Sequence, residues 1–356
     1  MALWLVRAGK TGTWEQRFLE ESRIYLSWDQ LNVDLSGLDD RDALRRVLAD
    51  TYPDAKPGKI MQNSAQIWAF AKKMNKGDWF AMPSKFAPSI HVGEIVGEYV
   101  HHPAGPDPLF HYRQVRWIEQ DIPRTSFDQD ILYSLGAFST MCQIKRNDAE
   151  RRVRAMAESG WKMQKFAAAQ LVTKDAVSSI EVDDSDSEDG EPTNEPVDVG
   201  QLARDQLSKH ILARFKGHGL AGLVRAVLEA QGYTVHQPPD GPDRGMDVLA
   251  ALGPLGFGQP RIVVQVKSED KPIERTVLDQ LRGNMSNVQA DHGLLVSWSG
   301  FKQTIKREEA QQFFRVRLWD SDDLIDALLA VYDKLDENVK TEIPVKQVWA
   351  LAIGEE

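Results

Sequence analysis

Apolar positions in the first 120 residues alternate in short runs and, between them, recur at helical spacing. Trp4-Leu5-Val6-Arg7 and the run from Arg23 to Trp28 read as strands. Between Asp39 and Asp50, Leu44, Val47 and Leu48 recur three and four residues apart, which predicts an amphipathic helix. Ser64 is placed as the N-cap of a further helix over 65–75, with Ile67, Phe70, Ala71 and Met74 as its stripe. Gly77-Asp78 turns into a strand over 79–82, a strand over 91–99 returns, and Val115 to Trp117 close the sheet. Residues 125–172 read as helical, with Ser126 capping 127–135 and Gly160 ending 148–160.

Beyond residue 200, helix and strand patterns alternate. Helices are predicted over 203–215 and 220–231, followed by strands at Tyr233 to Val235, just after Asp247, and from Arg261 to Lys267. A helix over 277–288 leads to Gly293-Leu-Leu-Val-Ser-Trp298, whose unbroken apolar run predicts a central buried strand. Helix 304–314, strand Val316 to Trp319 and helix 322–335 complete the series. Two apolar strands joined through a helix predict a parallel, right-handed crossover. The chain is therefore expected to be α/β, divided into a module over 1–120, a helical connector over 121–174, a linker over 175–200, a second domain over 201–335 and a tail over 336–356.

Charge sharpens that division. The net charge is −10, from 53 acidic and 43 basic residues. Ten of the acids lie between Asp175 and Ala203, where no Lys or Arg occurs. That stretch cannot bury enough apolar surface to order itself, so a disordered linker is expected. The remaining acids and bases balance, so the acidic total does not exclude a nucleic-acid partner. The lone Cys142 excludes a disulfide framework and a cysteine zinc site. No apolar run approaches the roughly 18 residues of a membrane span, and the N-terminus lacks a signal-peptide pattern. A cytoplasmic protein is expected.

The candidate chemistry lies between residues 239 and 268. Asp247 heads one strand, and Gln265-Val266-Lys267 closes the next. Alternation places Gln265 and Lys267 on one face. If the strands pair, Asp247, the Gln265 amide oxygen and the backbone carbonyl of Val266 can hold a hard cation such as Mg²⁺, with Mn²⁺ as a substitute. Lys267 beside them can orient or help deprotonate an attacking water. That is the layout of a metal-dependent phosphodiesterase. Asp243, Gln280 and Ser297 are supporting candidates: a turn cap, a polar residue on the following helix and a phosphate donor. Ser299 is a second donor candidate, and Lys302 and Lys306 are placed along a DNA groove.

These residues resemble the Mrr-type restriction endonucleases of the PD-(D/E)xK superfamily. The matching pieces are Leu223-Val224, Gln231-Gly-Tyr233, Asp243-Arg-Gly-Met-Asp247, Gln265-Val-Lys267, Leu281-x-Gly283, Leu294-x-Val296-Ser297 and Trp319. The resemblance implies a mixed central sheet flanked by helices, a Mg²⁺-dependent DNA endonuclease, and Asp247, Gln265 and Lys267 as its catalytic residues. Gln265 stands where many relatives carry Glu. Relatives often carry a Glu on the first helix, where this chain reads Leu220-Ala221, so metal affinity or turnover is expected to suffer.

The N-terminal run Lys76-Gly-Asp78-Trp-Phe-Ala-Met-Pro83-Ser84, followed by His91-Val-Gly93-Glu-Ile-Val-Gly97, resembles the core of PUA-like barrels, the superfamily of the EVE and YTH domains. That resemblance implies an α+β barrel reading a modified base, with Trp28, Trp68 and Trp79 as pocket walls and Ser84 and Lys85 at the base edge. Together the two resemblances imply a modification-dependent, type IV-like endonuclease acting on double-stranded DNA as a homodimer. Two other readings stay open: an antiviral nuclease gated by a small ligand at the N-terminal module, and a DNA-binding protein with weak or no catalysis.

Overall fold

Two mixed sheets organise the computed structural model, which describes residues 1–137, 139–161, 198–238, 245–269 and 271–348. The stretch expected to be a linker lies outside these residues up to position 197. The first sheet contains β1 (Leu3–Val6), β2 (Arg23–Leu26), β3 (Trp79–Pro83), β4 (Ser89–His101), β5 (His111–Pro123) and β6 (Met141–Ile144), in the order β2-β5-β4-β3-β1-β6. β1 and β3 run parallel; the other neighbours are antiparallel. Among the described residues no ladder joins β2 to β6, so the expected barrel is an open sheet. Register shifts between β4 and β5, at Ile90/Val92, Val92/Gly93 and Ile95/Tyr99, add local bends of the kind bulges produce.

Alternation along the strands feeds two cores. Trp4, Val6, Phe80 and Met82 pack with Phe18 of α1 (Glu15–Glu21), Leu44 and Leu48 of α2 (Arg41–Thr51) and Ile67 of α3 (Pro57–Trp68). Leu3, Leu5, Ala81 and Val92 pack on the other face with Ile131 of α4 (Gln129–Ser134) and Val153 of α5 (Ala149–Glu158). Full burial of a leucine such as Leu44 contributes about 1.5–3 kcal/mol.

Several boundaries differ from the sequence reading. α3 starts at Pro57, a position where the missing N–H is no loss. Ser64 is therefore inside the helix rather than capping it, and its hydroxyl donates to the Met61 carbonyl at 2.7 Å. β6 lies in the stretch read as helical and pairs antiparallel with β1. Asp128 precedes α4 where Ser126 was expected to. α1 was not foreseen.

The second sheet contains β7 (Thr234–His236), β8 (Val248–Ala251), β9 (Ile262–Lys267), β10 (His292–Ser297) and β11 (Val316–Trp319), in the order β11-β10-β9-β8-β7. β9, β10 and β11 are parallel, while β7, β8 and β9 are antiparallel. The helices are α6 (Val199–Arg214), α7 (His218–Ala230), α8 (Arg275–Asn287), α9 (Gln303–Gln312), α10 (Ser321–Ala330) and α11 (Glu337–Glu342). Residues of α6, α7 and α10 pack against Val264, Leu294 and Val296 on one face. Leu278, Leu281 and Met285 of α8 and Ile305 of α9 pack against Val263, Leu295 and Leu318 on the other. Ile343, just beyond α11, is fully buried in the first of these cores.

α6 also docks on the first unit. Nε and Nη2 of Arg124 donate to Oδ1 and Oδ2 of Asp205, each at 2.7 Å, and both residues are buried. Lys209 donates to the Phe127 carbonyl, and the Asp198 N–H to the Gly136 carbonyl at 3.2 Å.

Candidate active site

β8 and β9 form the floor. Their antiparallel register pairs Val248 with Val264, so Asp247 arrives one residue before the ladder, and its N–H donates to the Val264 carbonyl at 3.0 Å. Its side chain then reaches past the end of β8: Oδ2 accepts from the Val266 N–H at 2.6 Å. The carboxylate is thereby anchored on the backbone between Gln265 and Lys267.

The side chains of β9 alternate as the sequence indicated. Val264 and Val266 face the α6–α7 side, and Val263 faces α8. Gln265 shares the face of Val263 and is fully buried; its Nε2 donates to Oε1 of Gln280 on α8 at 3.4 Å. Lys267 takes the same face by alternation and is half-buried. Asp247 and Lys267 form no ion pair with each other among the described residues. Backbone carbonyls alternate as well. The Lys267 carbonyl accepts from the Trp298 N–H at 3.0 Å on the β10 side, so the Val266 carbonyl points toward the β8 side, where Asp247 sits.

Several buried side-chain atoms lack a partner, and one of them belongs to this site. Oε1 of Gln265 is buried and has no hydrogen-bond partner. An unsatisfied buried acceptor costs about 1–3 kcal/mol. With the Asp247 carboxylate held on the Val266 N–H and the Val266 carbonyl turned to that side of β9, the amide oxygen of the adjoining residue adds donor chemistry that a hard cation takes. The residues present thus fit a divalent ion. Among the described residues no group of three His, Cys, Asp or Glu side chains could hold a metal.

Two residues of this site were not identified from sequence. Gly245 has φ +74°, and a Cβ there would lie 2.7 Å from Nε2 of Gln265, so the turn requires glycine on both counts. Asn284, buried, donates from Nδ2 to the Gly245 carbonyl at 3.3 Å. The available signal was its spacing: it lies four residues after Gln280, on the same side of α8.

The remaining candidates divide. Gln280 is brought to Gln265. Ser297 is buried and its hydroxyl donates to the Gly300 carbonyl at 2.7 Å, so it closes a turn rather than offering a proton to phosphate. The Ser299 hydroxyl likewise donates to the Glu269 carbonyl. Lys302 pairs with Glu274 at 2.5 Å. Asp243 and the side chain of Lys306 lie outside the described residues. Leu220 and Ala221 are buried in the core, and Glu229 pairs with Arg225 at 3.5 Å.

The N-terminal candidates do not converge. Trp28 and Trp68 pack on the core that contains Phe80, with the Lys72 ammonium 5.5 Å from the Trp68 ring centroid. Trp79 packs on the opposite core, under the Arg154 guanidinium at 4.3 Å. Neighbouring strand residues point to opposite faces, so Trp79 cannot wall a pocket with the other two. The Ser84 hydroxyl donates to Glu15 Oε1 at 2.6 Å and the Lys85 N–H to Oε2 at 3.0 Å. Burial pushes the Glu15 carboxyl up, but hydrogen bonds from His91, Ser84 and Lys85 outweigh it and hold it below the usual range. The loop these bonds fix lines a cleft of about 370 Å³ that also includes Arg124, Phe301 and Asp320. Burial, and then Arg7 and Arg124, lower the Lys85 ammonium. The Gly-Asp motif itself is architectural: Asp78 accepts from the Ala2 N–H at 2.8 Å, Trp4 Nε1 at 3.0 Å and the Asn75 N–H at 3.1 Å.

Residues 212–328 match the restriction endonuclease family model Mrr_cat. Residues 4–135 match a domain family of unknown function. Solved structures similar to this chain include two restriction endonucleases. The DNA modification-dependent restriction endonuclease AspBHI shares 13% identity, over 82% of this chain and 74% of that one, at a TM-score of 0.33. The MspJI restriction endonuclease in complex with a 27-mer oligonucleotide shares 13%, over 91% of this chain and 73% of that one, at 0.29. No curated protein matches the chain. Among the described residues no helix is long and apolar enough to cross a membrane.

Proposed function

We propose, from the match of residues 212–328 to the restriction endonuclease family model, that this chain hydrolyses phosphodiester bonds of modified double-stranded DNA with Mg²⁺, in the manner of a type IV-like endonuclease. The observation that carries the reading is the unsatisfied Gln265 Oε1, on the residue adjoining the Val266 N–H that holds Asp247 and on the same strand as Lys267.

Asp247, Gln265 Oε1 and the Val266 carbonyl are the residues that would hold the ion. A bound divalent cation supplies charge neutralisation at the phosphate and a more acidic water. The protein contributes a single formal negative charge there, so ion affinity is low until phosphate oxygens join the site. Asp247 is fixed by the Val266 N–H, which keeps one carboxylate oxygen oriented before substrate arrives. Gln280 holds the Gln265 amide nitrogen and so turns its oxygen inward. Lys267 orients the attacking water and offers positive charge to the phosphate as charge builds there. The core residues at Leu220 and Ala221 add no further ligand, so turnover is slow.

In this proposal the N-terminal unit supplies base discrimination that phosphate contacts lack. Breaking both strands takes two nuclease domains, so the working form is a homodimer. The test is cleavage of matched modified and plain duplexes with Mg²⁺ or Mn²⁺. Cutting of modified duplex by wild type and none by Asp247→Ala is expected. Intact DNA with either ion would overturn the proposal, and DNA binding without cutting would identify a binding protein instead. Cutting of plain DNA switched on by a nucleotide would identify a ligand-gated nuclease.

A further inference from the structure

A second polar cavity lies at the outer edge of the first sheet. β2 ends the strand order and is paired with β5, which sets Tyr25 opposite Tyr112, their ring centroids 5.7 Å apart. Arg23 precedes them on β2. Arg17 and Glu21 come from α1, and His102 from the loop joining β4 to β5. Together these six line a cavity of about 410 Å³.

Its charge is uneven. Glu21 lies between the two guanidiniums, 2.7 Å from Arg17 Nε and 3.7 Å from Arg23 Nη1, and also accepts from the Tyr25 hydroxyl. One carboxylate against two guanidiniums leaves a positive charge in excess, in a chain whose net charge is −10. The Arg23 guanidinium lies 4.3 Å from the Tyr112 ring centroid, so cation and ring form a platform. The side chains of Arg17, Glu21 and Arg23 remain 37%, 33% and 35% exposed, within reach of a ligand. A guanidinium on an aromatic ring stacks a further planar ring, and a second guanidinium takes phosphate oxygens in pairs. A carboxylate and an imidazole nearby can meet the N–H and carbonyl groups of a base edge.

We propose that this cavity binds one nucleotide unit, its base over the Arg23–Tyr112 platform and its phosphate at Arg17. Two sources share that chemistry: a nucleotide everted from duplex DNA and a free mononucleotide. In the first case the inference rests on the DNA-reading function proposed above.

The test uses the full chain carrying Asp247→Ala, which keeps DNA intact during titration. The probes are dCMP, its 5-methyl derivative, inorganic phosphate and a duplex containing 5-methylcytosine. Nucleotides bind more tightly than inorganic phosphate, and Arg23→Ala weakens them by about tenfold or more at unchanged melting temperature. Arg23→Lys keeps the charge but not the plane, so it restores little. Arg17→Ala gives a second, independent loss. Loss of duplex binding in Arg23→Ala identifies the everted source; a loss confined to mononucleotides identifies the free one. Equal affinity in wild type and both alanine variants overturns the inference, as does phosphate binding as tightly as nucleotides. If modified DNA is still cut by Arg23→Ala in the otherwise wild-type chain and nucleotide binding is unmoved, the cavity is refuted and the endonuclease stands. If wild type cuts nothing and Arg23 still controls nucleotide binding, the reverse holds.

Discussion

The two units put their buried polar residues to different ends. In the first unit each buried ionisable side chain is met. Asp78 accepts three hydrogen bonds, Glu15 is held by Ser84 and Lys85, and His111 bridges Tyr99 and the Leu31 carbonyl. Arg113 donates to the carbonyls of Phe70 and Ala71. In the second unit the fully buried Gln265 keeps an oxygen with no partner. Satisfied polar networks specify architecture, whereas a buried acceptor left open costs stability and persists where something else completes it. Ser89 Oγ, Trp117 Nε1 and Gln129 Nε2 in the first unit and Trp298 Nε1 in the second also lack partners, so what marks Gln265 is its place on β9 next to the residue whose N–H holds the Asp247 carboxylate.

The sharpest way to break this comparison is to remove the proposed chemistry. Lys267→Ala is expected to lower cleavage by on the order of 10²–10³-fold, the scale for losing one preorganised charge at a reacting phosphate, with little change in melting temperature. Gln265→Met separates site from scaffold: cutting is lost while thermal stability holds or rises, because an unsatisfied amide oxygen worth about 1–3 kcal/mol disappears. A fall in stability with retained cutting would erase the distinction between the two sheets.

The mirror experiment is Asp78→Ala, which strands three donors in the first unit. A loss of about 3 kcal/mol in denaturant unfolding is expected, with any residual folded protein still binding Mg²⁺ at the other sheet. His111 offers a pH version. Burial, partly offset by the Leu31 carbonyl, takes its imidazole from the ordinary 6.5 down to about 4. The folded state then holds the proton less tightly than the unfolded chain. Stability is complete above pH 6.5 and declines by about 3 kcal/mol as pH falls toward 4, a slope to be read from melting temperatures and flattened in His111→Phe. The smallest effect belongs to Glu229→Ala. Its exposed pair with Arg225 is worth under about 0.5 kcal/mol, so activity and stability should both stay near wild type.

The strands of the second sheet were legible because their pattern is extreme: unbroken apolar runs between helical segments admit few other arrangements. The facing of Gln265 and Lys267 followed from alternation alone. Gly245 and Asn284 were not legible, since their importance comes from a contact between a turn and a helix some forty positions apart. In the first unit, tryptophan content suggested a pocket, but content carries no direction. Alternation at Trp79-Phe80 already separated that ring from whatever Phe80 faces. β6 escaped because four residues in a polar stretch gain their strand character from pairing with β1. The start of α3 escaped because Pro57-Gly58 reads as a break although proline suits a first turn.

The Arg124–Asp205 clasp constrains how the chain can be divided. Removing one partner within the intact chain, as in Arg124→Ala, would leave the Asp205 carboxylate buried and uncompensated, at a cost of about 3–5 kcal/mol. Limited proteolysis between the halves should therefore leave them associated in gel filtration, and in Arg124→Ala they should separate more readily.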